Sequence, residues 1–153
     1  MTQVKKVLLP VHGYDSDEDS LHLACKLAKG SKGKVYVLYV IEVERRLPLD
    51  ADVIPEAARG EEVLQRMEKL GKEQQVEIEA EILQARDAGP AVVQEAVDRE
   101  VDAIVIGIPY KRRYGLFNIG NIIPFILKHA PCPVMLWRGI NGSTSSTADN
   151  NPF

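Results

Sequence analysis

The chain has 153 residues, 45% of them hydrophobic and 27% charged, with a formal net charge of -3 at pH 7. That length holds one domain with a sizeable core and is short for two. The mildly acidic balance speaks against a general nucleic-acid or membrane-surface binder, and no apolar run reaches the roughly 18 residues of a membrane span. The start, Met1-Thr2-Gln3-Val4-Lys5-Lys6, lacks the layout of a signal peptide. A cytoplasmic protein is therefore expected, without direct membrane insertion and without nucleic acid as a partner. Cys25 and Cys132 stand far apart and in no metal-ligand spacing, so both read as reduced core thiols.

Val7-Leu8-Leu9-Pro10-Val11 is a short apolar run ending at His12-Gly13 and reads as a buried parallel strand. Asp15, Ser16 and Asp17 can cap the helix that follows. Leu21, Ala24, Cys25 and Ala28 give that helix one apolar face, and Gly30 and Gly33 stop it. Val35 to Ile41 is a second strand. A polar stretch with Pro48 and Pro55 reads as a loop, and Glu42-Val43-Glu44-Arg45-Arg46 at its start is a candidate lid. Val63, Met67 and Leu70 mark a second helix ending near Gly71. Val76 to Ile82 alternates strictly, which predicts a sheet edge with glutamates on its wet face.

Gly89-Pro90 opens a third helix, since proline suits a first turn where its missing N–H costs nothing. Ala103-Ile104-Val105-Ile106 is another buried strand, ending at Gly107. A glycine- and arginine-bearing loop leads to a helix from Asn121 to Ala130, broken by Pro131. Pro133 to Trp137 is the last strand, with Met135 and Trp137 expected in the core or at a dimer seam. Residues 140–153 are rich in Asn, Ser and Thr and read as a disordered tail behind a domain of residues 1–139.

The alternation of strands and helices predicts an α/β fold, a parallel sheet with helices on both faces. Ligands in such sheets bind beyond the carboxyl ends of the strands, where the strand order reverses. Pro10 to Tyr14 and Gly107 to Ile123 face that crevice. The second segment combines glycines that let backbone approach a ligand, the cations Lys111, Arg112 and Arg113, and a helix start at Gly120-Asn121. These are the parts of a phosphate site; they are equally those of a solvated basic loop ahead of an ordinary helix cap.

Three stretches carry a resemblance. Leu9-Pro10-Val11-His12-Gly13 looks like the first-strand exit of the universal stress protein family. Gly89-Pro90-Ala91 through Val101-Asp102-Ala103-Ile104-Val105-Ile106-Gly107 looks like that family's third helix and fourth strand. His129-Ala130-Pro131-Cys132-Pro133-Val134 is similar to its ending almost residue for residue. The resemblance spans about residues 3 to 138, in order. It implies a three-layer α/β/α sandwich with a five-stranded parallel sheet in the order 3-2-1-4-5. That is the Rossmann-like architecture of the adenine nucleotide alpha hydrolase type.

Nucleotide-binding members carry glycine, two residues, glycine, nine residues, then glycine followed by serine or threonine. Here Gly107 and Gly120 keep the outer glycines, Tyr110 replaces the middle one and Asn121 replaces the Ser/Thr. His12 stands where the family tends to place an aspartate that contacts the nucleoside. The resemblance implies that Pro10, Val11, His12 and Gly13 line the nucleoside pocket and that Val40 offers backbone to the adenine edge. Ile106 borders the site. Gly107, Gly120, Asn121 and Ile122 then present N–H groups to phosphate. Tyr110 is placed to stack on base or sugar, and Arg112 and Arg113 add positive charge. The implied ligand is an adenine nucleotide, ATP, ADP, AMP or cyclic AMP. Mg2+ accompanies a di- or triphosphate, on phosphate and water ligands, with no metal site of the protein's own.

The function expected is that of a stress-response regulatory module, with no catalytic residue assigned and slow nucleotide hydrolysis left open. The alternative is a member that binds no nucleotide and acts as an interaction protein, with Tyr110 and His12 filling the pocket. Family members commonly dimerise through the last strand, which implies a homodimer. The loop Lys111 to Asn118 resembles variants of this domain attached to membrane amino-acid transporters, which raises a transporter as partner.

Overall fold

Runs that are apolar on both sides take the middle of a sheet, and runs that alternate take its edge. The computed structural model, which describes residues 3–109 and 122–139, follows both rules except in its last strand, an apolar run that takes an edge. Its elements are β1 (Lys6–Val11), α1 (Ser16–Lys29), β2 (Lys34–Glu42), α2 (Ile54–Glu73), β3 (Glu77–Ala85), α3 (Ala88–Arg99), β4 (Ala103–Ile108), α4 (Ile122–His129) and β5 (Val134–Arg138). The strands form one sheet in the order β3-β2-β1-β4-β5, and every pairing is parallel. Five of the six residues of β1 and all six of β4 are buried. β3, whose sequence alternates, lies at one edge.

Two cores follow from the pleat. Val7, Leu9, Val11, Val35 and Val37 pack on one face against Leu21, Cys25 and Met67 of α1 and α2. Leu8, Leu38, Ile104 and Ile106 pack on the other against Val92, Ala96 and Ile126 of α3 and α4. Side chains of this size contribute about 1.5–3 kcal/mol each when fully buried. The layers are those of an α/β/α sandwich.

Three local expectations are corrected. α2 begins at Ile54 with Pro55 in its first turn, so the loop before it ends at 53 and Pro55 belongs to the helix. That loop is not a free lid. Arg86 Nη1 donates to the carbonyls of Glu44 at 2.7 Å and Leu47 at 2.9 Å, and Gln84 Nε2 to those of Leu49 at 2.8 Å and Ala51 at 3.1 Å. Trp137 is 38% exposed and Leu136 43%, because β5 has a strand neighbour on one side only among the described residues, so Trp137 is not core; Met135 is half-buried. The glutamates of β3 do lie on its wet face, and they carry ion pairs there. Arg99 donates to Glu79 at 2.9 Å and Glu81 at 2.8 Å, with its guanidinium 4.5 Å from the centre of the Tyr36 ring. Arg99 thus covers a stretch of sheet beyond the reach of α3's apolar side chains.

Cys25 is buried and Cys132 half-buried, and both are free thiols. Burial pushes the Cys25 thiol up to about 11, which keeps it protonated and unreactive near neutrality.

Candidate functional site

The site begins with a stagger between strands. β1 ends at Val11, opposite Tyr39, whereas β2 runs on to Glu42. The overhang of β2 is one wall of a cleft of about 190 Å³. Leu38, Val40 and Glu42 line it from β2, Pro10, Val11 and His12 from the end of β1, and Ala88 and Val92 from α3. Ile122, the first residue of α4, closes it. α4 comes this close because Gly89 of α3 has no side chain: a Cβ there would lie 3.1 Å from Cβ of Phe125. The volume is below the roughly 300–1,000 Å³ of drug-sized sites and suits a single heteroaromatic ring system.

The turn after β1 is shaped by Asp17, which is 1% exposed. Its carboxylate accepts the backbone N–H groups of Gly13 at 2.6 Å, Tyr14 at 3.1 Å and His12 at 3.2 Å. The sequence placed Asp17 in a capping role for α1; it instead reaches back and organises the loop ahead of the helix, while the N-cap Asp15 makes no side-chain cap. Gly13 has φ +91° in this turn, a left-handed backbone that glycine adopts without strain. The rings of His12 and Tyr14 stack with centroids 5.6 Å apart.

Burial pushes the His12 imidazole below its ordinary 6.5, and the Asp17 carboxylate pulls in the opposite direction. Burial likewise raises the Asp17 carboxyl, with the N–H of Gly13 as the largest opposing influence. For His12 the unfolded chain takes up a proton at a higher pH than the folded one. Its contribution is therefore present above 6.5 and lost as pH falls below it toward the folded value. Thermal melts between pH 8 and pH 5 should show the wild type losing stability more steeply below 6.5 than His12→Asn; parallel curves would mean that His12 is not buried as a neutral ring.

Of the residues expected at the site, Pro10, Val11, His12, Val40 and Ile122 meet in the cleft, and Gly13 sits in the adjoining turn. Ile106 is 1% exposed and packs in the core beneath α3 and α4. Gly107 has a packing reason for being glycine. A Cβ on it would lie 2.7 Å from Ser20 Oγ and 2.8 Å from the carbonyl oxygen of Ser16, so α1 is seated directly on it. The Ser20 hydroxyl donates to the carbonyls of Ser16 and Asp17, while the buried Ser16 hydroxyl has no hydrogen-bond partner among the described residues. Tyr110, Arg112, Arg113, Gly120 and Asn121 lie outside the described residues, as does the tail 140–153.

Leu38, Glu42, Ala88 and Val92 were not foreseen. For two of them a signal existed: Leu38 and Glu42 stand two residues either side of Val40, so the strand's period of two puts all three on one face. Ala88 and Val92 follow from how α3 docks, which its own pattern does not reveal.

Comparisons with known proteins agree with the fold. The family model described as the universal stress protein family matches residues 3–138. A universal stress protein of Methanocaldococcus jannaschii is 29% identical over 138 residues, covering 86% of this chain and 81% of the relative. A solved structure of the universal stress protein from Archaeoglobus fulgidus in complex with dAMP has a TM-score of 0.69 at 21% identity, covering 88% of this chain and 98% of that one. A universal stress protein family protein from Arabidopsis thaliana with AMP bound has a TM-score of 0.68 at 22% identity, covering 93% and 96%.

Proposed function

The chain belongs to the universal stress protein family, and from that premise we propose that it is a regulatory module that binds an adenine nucleotide in the cleft between β1, β2 and α3. The observation that carries the reading is the cleft itself. It lies beyond the carboxyl end of β1 on the β2 side, next to the boundary between β1 and β4 where the strand order reverses but without a β4 residue in its lining, and apolar side chains line it except at His12 and Glu42. Apolar walls receive the faces of a base, and the β2 overhang, which has passed the end of β1, leaves Val40 backbone to meet its edge. In this reading the phosphates lie toward Ile122 and the start of α4. Arg112, Arg113, Gly120 and Asn121 belong to the chain leading there. Mg2+ accompanies the ligand only where it is a di- or triphosphate.

Binding is the role proposed, with slow nucleotide hydrolysis left open. A second reading, an interaction module, is favoured by the edge strand β5, whose exposed Leu136 and Trp137 suit a homodimer seam. The transporter partner rests on the loop 111–118 alone.

One experiment serves both readings: thermal unfolding with AMP, ADP, ATP, cyclic AMP, GTP or no ligand, with and without Mg2+, at two protein concentrations. An adenine nucleotide at about 100 times its dissociation constant should add about 2.7 kcal/mol, several degrees for a domain of this size. No rise with any adenine nucleotide, on protein freed of co-purified ligand, sinks the nucleotide reading. A melting temperature independent of protein concentration counts against the dimer.

A further inference from the structure

Glu42 brings a carboxylate to the lining of an otherwise largely apolar cleft, and the fold holds it there. Its Oε2 accepts the backbone N–H of Ala88, the first residue of α3, at 2.8 Å. The residue that should cap this helix, Asp87, makes no side-chain cap, and its own carboxylate meets Arg45 at 3.5 Å. Glu42, arriving from a neighbouring strand, takes over the cap and faces the positive end of α3. The bond anchors one oxygen and restricts where the other can go. Among the described residues Oε1 accepts no hydrogen bond.

The rest of the lining near it is Leu38 and Val40 of β2 and Val92 of α3, with Pro10 and Ile122 further round. With His12 on the β1 side of the cleft and Glu42 as the carboxylate on the β2 side, the β2 wall suits a flat ring that carries a hydrogen-bond donor on its edge. A carboxylate only accepts, so it rewards an exocyclic amine and opposes a carbonyl oxygen, whose lone pairs would face its own. We propose that Glu42 is the residue that selects the base, accepting a hydrogen bond from the 6-amino group of an aminopurine and disfavouring 6-oxopurines. The assignment rests on the nucleotide reading of the cleft.

The test is isothermal titration of the full chain, wild type and Glu42→Gln, with AMP and with IMP, which carry amine and oxo groups at the same ring position. The wild type should bind AMP about tenfold or more tightly over IMP, the size expected of one charged hydrogen bond. In Glu42→Gln the amide oxygen can keep the Ala88 N–H while the NH2 turns to the cleft, so the preference should vanish or reverse. Equal binding of AMP and IMP by the wild type overturns the proposal, as does a preference that survives in Glu42→Gln. Should the variant fail to fold, N6,N6-dimethyl-AMP on the wild type asks the same question. It lacks the donor and should bind about tenfold more weakly than AMP, and equal binding overturns the proposal. If the wild type binds no AMP at all, this inference falls together with the nucleotide reading. If AMP binds without discrimination, only Glu42's role falls.

Discussion

Gly107→Ala should lower the melting temperature by about 10 °C in the absence of any nucleotide. The added methyl group would sit 2.7 Å from Ser20 Oγ and 2.8 Å from the Ser16 carbonyl oxygen. The second of these is backbone at the start of α1, so relief requires the helix to lift from β4. Overpacking of this kind costs about 3 kcal/mol at its upper range, which for a chain of this length corresponds to about 10 °C. Gly30→Ala is the control: a Cβ there meets nothing within 4 Å, and it should melt with the wild type. Urea unfolding checks both variants. Gly107→Ala as stable as wild type would mean that α1 is not seated on β4 as described. The family resemblance gave this glycine a role toward phosphate. The ligand-free measurement isolates the packing role, which exists whether or not a nucleotide ever binds.

Asp17→Ala is expected to be comparably damaging for a different reason. Removing the carboxylate strands the N–H groups of His12, Gly13 and Tyr14, which it holds together at 2.6–3.2 Å. A buried donor left unsatisfied costs about 1–3 kcal/mol, and water entering the turn recovers part of that, so a loss of about 3 kcal/mol is expected. Asp17→Asn keeps one acceptor oxygen and should lose roughly 1 kcal/mol, the difference between a charged and a neutral hydrogen bond. Hydrogen exchange gives the local readout: amide protection at residues 12–14 should disappear in Asp17→Ala while the amides of β1 stay protected. Uniform loss of protection across β1 would show that Asp17 supports the whole domain instead of this turn. Because the turn places His12 in the cleft, nucleotide affinity should fall with it.

The legible part of the fold was carried by periodicity. Val7 to Val11 and Ala103 to Ile106 are apolar without alternation, and they became the buried middle strands. Glu77 to Ile82 alternates and became an edge. These patterns report how many faces of a segment must leave water, a local property of the chain. Pro55 was misread for an equally local reason: proline marks a loop and a helix first turn alike, and only the helix that followed decided between them.

Trp137 shows where such reading stops. Its strand is apolar enough for a core, yet it stands at the sheet's edge, where no further strand among the described residues covers it. The sequence by itself determined the class of fold and the order of its elements, and its family resemblance pointed to five residues that meet in the cleft: Pro10, Val11, His12, Val40 and Ile122. Tertiary structure alone decided that Asp17 turns back to hold residues 12–14, that Gly107 is a seat for α1, and that Glu42 caps a helix 46 residues away. The reason is physical. Period and composition specify which face of an element is buried, whereas a cap borrowed across the sheet depends on where two elements end relative to each other. That relation is set by packing, and no window of sequence contains it.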